Sequence, residues 1–478
     1  MKLFSKLLAL YLFVILFAAC NSENENENEG TPFIGNVVLK SQAEVDAFAS
    51  NQYSGVDGML RLTSPGVGAA SNITDISRLS SLKYVAGDLD IFNNSLTTLN
   101  GLQNITRIGG SLYVNSNEKL TEVNALSNLT DLGENLVISD SKNLISIDGF
   151  SGLTIIKGNL SIGVDVGGGA LGLPNLSDLN GLSNLESVNG DIQISGTKIR
   201  NLQGLESITI AIKDLTISYN NSLENLSGLE NLASIGGSLF LSNNANIREV
   251  NALSNLLQIG DILEVASNSR LTDVSGFSNL ISAENALTMY SNSTLATLGN
   301  AFQNLEIASR ISISDGELES IQGFNSLSQC DYIDIQNNLH LESISGFETL
   351  SSCKFLLIGN NENLRSIAGF QNLISVEEFS LIQPTTIVDP PISIIAFSNL
   401  STVVTTISIS GLANTDIDFI SNLQTVGNQL NITYNENLTD LCGLNRLVFN
   451  EGLEGEFNVF HNLYNPTQQN ILEGNCNQ

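Results

Sequence analysis

Tryptophan is absent from this 478-residue chain, and histidine occurs only at His340 and His461. That scarcity nearly excludes histidine-dependent catalysis and histidine-rich metal binding. Basic residues are few: Lys+Arg 19 against Asp+Glu 49 leaves a formal net charge of −30. Such a chain is repelled by phosphate backbones, which argues against nucleic acid as a partner. The sequence lacks a CxxC pair, an HExxH helix, an EF-hand loop, a Walker phosphate loop and the nonapeptide calcium repeat, so no cofactor or metal is expected. After the first twenty residues no apolar run is long enough to cross a bilayer. Wholesale disorder is excluded too, because 42% hydrophobic residues can fill a large core.

The N-terminus reads as an address. Lys2 and Lys6 are followed by the apolar run Leu7 to Phe17 and by the small residues Ala18 and Ala19. This is the three-part layout of a secretory signal, too short to span a membrane. Phe17-Ala18-Ala19-Cys20 resembles the lipobox of bacterial lipoproteins, with Phe17 where leucine is more usual. The resemblance implies acylation of Cys20 and attachment to the outer membrane through lipid. Asn21 to Gly30 alternates Asn and Glu, which cannot bury apolar area and predicts a solvated tether. It also resembles the acidic segment of surface-exposed lipoproteins of the Bacteroidetes, which implies display at the cell surface.

The rest of the chain is one repeated unit. A Gly/Ala-Leu/Phe dipeptide recurs with anchors at Leu79, Leu102, Leu126, Phe150, Leu182 and onward to Leu444, mostly at intervals of 22 to 25. A period in this range signals a solenoid. Two longer intervals hold the Gly-rich stretch Gly163 to Leu173 and the prolines Pro384, Pro390 and Pro391, both predicted as loops extruded from one rung. Within each unit, pairs such as Leu112/Val114, Leu89/Ile91, Leu239/Leu241 and Leu430/Ile432 alternate with outward residues, the period-two pattern of a strand with one buried face. A second short strand is predicted at Leu144/Ile147, Leu271/Val274 and Leu438/Leu441. No single rung can bury its inward residues, but a stack can share one core.

Asparagine marks the corners, at Asn94, Asn117, Asn220, Asn244, Asn268, Asn292, Asn338, Asn361 and Asn435. Asparagine tolerates left-handed backbone and can bond locally at a sharp turn, and repeated amides could bond along the stack. A second column follows the anchors, from Asn104 and Asn128 to Asn304. Both are read as structural, because sites rarely repeat nine times.

The repeated text G-L/F-x-N-L-x-x-I-x-G-x-L-x-I-x-x-N-x-x-L-x-x-I, clearest in Gly101 to Val123 and Gly228 to Val250, resembles the receptor L-domain repeat, a relative of the leucine-rich repeat. The resemblance covers roughly residues 59 to 460. It implies an all-β, right-handed β-helix or solenoid of about sixteen rungs, roughly 75–80 Å long at about 4.8 Å per rung. The organisation is expected to be a signal at 1–19, the tether at 20–32, an N-terminal cap at 33–58, repeats at 59–441 and an irregular C-terminal cap at 442–478.

A solenoid must close its ends. Ser41-Gln-Ala-Glu44, followed by Val45 and Phe48, predicts a short capping helix. Cys442 and Cys476 bracket the irregular C-terminal segment, and an exported protein can keep a disulfide there. Cys330 and Cys353 lie one rung apart at inward positions and are expected to be stacked core residues.

Candidate chemistry is sparse. Asp88/Asp90, Asp331/Asp334 and Glu377/Glu378 are paired carboxylates of the kind polysaccharide-cleaving β-helices use. Acidic polysaccharide would need cationic groups that this chain largely lacks. The outward strand positions, which include Asp90, Tyr113, Val137, Ser161, Gln193, Thr216, Phe240 and Glu264, form a long polar ladder that could contact an extended ligand. Tyr113 and Val137 would be an apolar spot on it. The expected protein is a monomeric, non-enzymatic binding or adhesion module for a glycan or protein, with a passive spacer as the alternative.

Overall fold

A computed structural model describes residues 30–66, 71–163, 172–384 and 390–478. The signal segment, Cys20, most of the acidic tether, the centre of the Gly-rich stretch and residues 385–389 lie outside the described residues.

The chain winds into an all-β parallel solenoid of about seventeen turns. Its main sheet takes one strand from each turn, beginning at Val37–Leu39 and ending at Glu456–Phe460. Register follows the hydrophobic alternation. Leu112 and Val114 pair with Leu136 and Ile138, which pair in turn with Leu160 and Ile162. These side chains are all 0% exposed, so apolar residues of successive turns meet inside one continuous core. Each terminal strand of this sheet pairs on one side only, leaving an open ladder and not a closed barrel.

The second wall consists of strands of two residues, or three at Gly55–Asp57, from Phe33–Ile34 through Arg107–Ile108 to Ser187–Val188, then from Ile210–Ala211 to Ser282–Ala283. The third wall differs from expectation. The strand predicted around Leu144/Ile147 is an isolated bridge, Glu122 to Ser146, followed at once by the 3₁₀ turn Asp148–Phe150. The physical reason is local. Ser146 Oγ accepts the Asp148 N–H at 3.1 Å and starts the turn before a ladder can extend. True strands form on this wall only from Ser320–Ile321 to Ser393–Ile395. At two of these corners a left-handed Gly-Phe pair, Gly346 (φ 96°) with Phe347 (φ 63°) and Gly369 (φ 88°) with Phe370 (φ 55°), turns the chain without a 3₁₀ turn. The phenylalanines of these turns stack, with ring centroids 4.9 Å apart for Phe324 and Phe347 and 4.6 Å for Phe347 and Phe370.

The asparagine column is buried and bonds along the stack. Asn220 donates its side-chain amide to the Ile194 carbonyl at 2.9 Å, and its backbone N–H reaches Asn244 Oδ1 at 3.0 Å. Asn244 repeats this toward Ile217 and Asn268. Left-handed geometry belongs instead to the residue before it: Asn93, Ser116, Tyr219 and Asn243 all have positive φ, as does Asp140 before Ser141, which stands in the same column. The buried asparagine is there for its side-chain carbonyl and amide, which satisfy main-chain groups at a corner where the sheet ends. The second column is exposed, and each amide donates to a carbonyl of the preceding turn, as Asn128 does to Gln103 at 2.7 Å.

Helix α1 (Gln42–Ala49) covers the first turns, with Ser41 Oγ accepting the Glu44 N–H at 3.3 Å. Val45 is fully buried beneath it, while Phe48 packs among Phe33 and Tyr53. At the other end, α2 (Asn445–Phe449) and α3 (Gln468–Leu472) lie against each other. A disulfide joins Cys442 to Cys476, with Cα atoms 4.9 Å apart, and the Leu441 N–H bonds to the Cys476 carbonyl at 2.9 Å. Cys330 and Cys353 are free and buried in adjacent turns.

Candidate binding surfaces

The outward column of the main sheet is continuous. Arg61, Asp90, Tyr113, Val137, Ser161 and Gln193 are successive Cα partners. The column runs on through Phe240 and Glu264 to Asp334 and Leu357. Tyr113 and Val137 stand directly side by side, each half-buried. Their neighbours are polar: Ser139 Oγ donates to Asn115 Oδ1 at 2.9 Å one position along.

Charges on this face are partly committed to one another. Arg61 Nε lies 3.1 Å from Asp90 Oδ2, and its guanidinium sits 5.6 Å from the Phe92 ring centre. Burial pushes the Asp90 carboxyl above the usual range, while Arg61 pulls it back. Burial also raises Asp334, against the opposing charge of Arg310. Arg310 itself lies over Tyr332 at 4.7 Å. This second row, Arg310, Tyr332 and Phe355, begins two positions before the column. Sequence reading missed it, although a basic or aromatic residue just ahead of each inward pair would have revealed it.

The paired carboxylates separate into ordinary structural roles. Asp88 Oδ1 accepts the Ser111 N–H at 2.7 Å. It belongs to a column at the strand entrances, where Asn135 Oδ1 likewise accepts the Asn159 N–H at 2.8 Å. Asp331 Oδ2 is held by Lys354 Nζ at 2.8 Å. Glu377 and Glu378 sit where the register shifts at a bulge. His340 pairs with Glu317 on the surface, and His461 stacks on Tyr434 with centroids 4.7 Å apart. Among the described residues no three His, Cys, Asp or Glu side chains are placed to hold a metal ion. Among the same residues no helix is long and apolar enough to cross a membrane.

Surface cavities among the described residues include two of ligand size. One of about 380 Å³ is walled by Glu317, Glu319, His340 and Glu342. The larger, about 570 Å³, lies on the second wall near the first turns, between Ser54, Asp57, Lys83, Tyr84, Thr106 and Arg107.

No known family matches this chain. No curated protein matches it either. The architecture is thus a β-solenoid compatible with leucine-rich-repeat-like and other solenoid families, and function must be argued from its surfaces.

Proposed function

We propose that this protein is a lipid-anchored cell-surface protein of receptor L-domain type, whose repeat array is a non-catalytic binding or adhesion module for glycan or protein ligands. The observation that carries the reading is the in-register outward column from Arg61 to Leu357, a straight row of mainly polar side chains on a rigid sheet. A ligand with its own repeat can meet it at many points, each weak, which is how an extended binder gains affinity without a deep pocket. The lipobox-like Cys20 supports the anchor, and the acidic tether supports display outside the outer membrane. The roles of Asp88 and Asp331 support the absence of catalysis, since both carboxylates already hold the coil together.

The test is incubation of the purified protein with glycan and host-protein arrays, followed by analysis of the bound material. Binding without turnover is expected, and Tyr113→Ala with Val137→Ala should weaken a ligand seated on that part of the column. Depolymerisation of a polysaccharide would replace this reading with an enzymatic one. Silence on every array would favour a passive envelope spacer, a role that the bonded asparagine columns would suit by stiffening the rod.

A further inference from the structure

We propose that the 570 Å³ cavity at the N-terminal end of the second wall binds a carboxylate-bearing sugar, such as a uronic acid residue of a glycan. Its volume falls in the range of about 300–1,000 Å³ typical of small-ligand sites. The inference deepens the binding reading and rests on it, because it assigns a chemical class to one ligand residue.

One wall of the cavity depends on a missing side chain, whose space the Tyr84 ring occupies. Tyr84 pairs in register with Gly55, and a Cβ on Gly55 would stand 2.3 Å from Tyr84 Cε1. Only glycine leaves room for the ring to lie across the neighbouring turn. The Tyr84 hydroxyl donates to Asp57 Oδ1 at 2.7 Å, which fixes the far end of the ring. A fixed aromatic surface next to a carboxylate acceptor suits a sugar, which offers C–H faces and hydroxyl donors together.

The cavity also gathers positive charge in a chain that has little. Lys83 and Arg107 come from adjacent turns, linked where the Thr106 N–H bonds to the Lys83 carbonyl at 2.9 Å. Among the described residues the Lys83 ammonium enters no ion pair. Arg107 reaches Asp131 only at 3.9 Å, and the other oxygen of Asp131 is taken by Lys157 at 2.7 Å. The guanidinium therefore keeps donors for a carboxylate, whose geometry its planar fork matches. Asp57 in the wall and the net charge of −30 disfavour a polyacidic peptide. Carboxylates spaced one per sugar among neutral hydroxyls reduce that penalty.

The experiment is calorimetric titration of the full chain in detergent with digalacturonate. Parallel titrations use neutral digalactose, inorganic phosphate and a hexaglutamate peptide. Digalacturonate should bind at least about tenfold more tightly than each of the three, and added salt should weaken it. Arg107→Ala and Lys83→Ala should each cost about tenfold or more without moving the melting temperature, since both side chains are solvent-facing. Gly55→Ala should displace the ring and lower affinity as well. Equal binding of the neutral sugar, preference for phosphate or peptide, or unchanged affinity in Arg107→Ala would each overturn the proposal. A tenfold gain on deleting Glu23 to Glu29 would make the chain's own acidic segment the occupant and would equally overturn it. An array ligand that Arg107→Ala still binds, with no response to digalacturonate, would remove this inference and leave the binding module standing.

Discussion

The backbone N–H of Asn220 is bonded to Asn244 Oδ1 in the next turn at 3.0 Å, while the Asn244 amide reaches back to the Ile217 carbonyl at 2.8 Å. One side chain thus satisfies two main-chain groups of its neighbour in a place sealed from water. Asn244→Ala would leave both unpaired, at a cost of about 1–3 kcal/mol each. A total loss of about 2–6 kcal/mol in denaturant unfolding is expected. Asn255→Ala on the exposed column, where water can replace the 2.6 Å bond to the Glu230 carbonyl, should cost less than about 1 kcal/mol. Equal losses at the two sites would refute the distinction.

Cys330 and Cys353 are buried among apolar side chains, and burial pushes both thiols from their ordinary 9.0 up to about 12. At pH 8 the thiolate fraction is then about a thousandfold below that of a free cysteine, since reactivity follows the thiolate. Native protein should resist alkylation at both positions, and unfolded protein should label quantitatively by mass spectrometry. The sign of the pH effect follows from the same shift. The unfolded chain releases these protons above pH 9 and the folded chain does not, so stability is full below pH 9 and falls as pH climbs toward 12. Rapid native labelling would mean that this part of the core opens.

The period and the inward pairs were legible because Leu112/Val114 and their counterparts repeat at fixed spacing, and burial acts on that pattern directly. The asparagine column was legible for the same reason. Its left-handed neighbour was not, because Asn93, Ser116, Asp140 and Tyr219 share a backbone angle and no side-chain chemistry. Asp88 read as a candidate acid for want of its column, in which Asp88, Ser111, Asn135 and Asn159 mix three residue types but all precede an inward residue. The Gly55–Tyr84 cavity had no spacing signal at all. Its walls come from separate turns, and each residue is ordinary until the coil brings them together.

The disulfide between Cys442 and Cys476 closes a loop across 34 residues at the end of the coil. Chain-entropy arguments assign such a loop about 3–4 kcal/mol. Replacing both cysteines with serine should destabilise α2 and α3 selectively, since a solenoid couples mainly nearest neighbours. Hydrogen exchange should accelerate from Asn445 to Gln478 and stay unchanged around Leu112. Uniform acceleration along the chain would show that the array unfolds as one unit and that the cap guards all of it.

Among the described residues no helix is long and apolar enough to cross a membrane, and the proposed attachment through lipid rests on the N-terminal segment alone. The lipobox-like Phe17-Ala18-Ala19-Cys20 offers a covalent route. Acyl chains contribute about 0.8 kcal/mol per buried CH₂, and stable anchoring needs more than one such chain or a second attraction. The acidic tether cannot provide that attraction, since anionic surfaces repel Glu23 to Glu29. If acylation is the whole anchor, Cys20→Ala should abolish the lipid mass increment and move the protein from the membrane to the soluble fraction together. Deleting Glu23 to Glu29 should keep the lipid but reduce protease access on intact cells. Membrane retention by unacylated Cys20→Ala would transfer the anchor to some other contact.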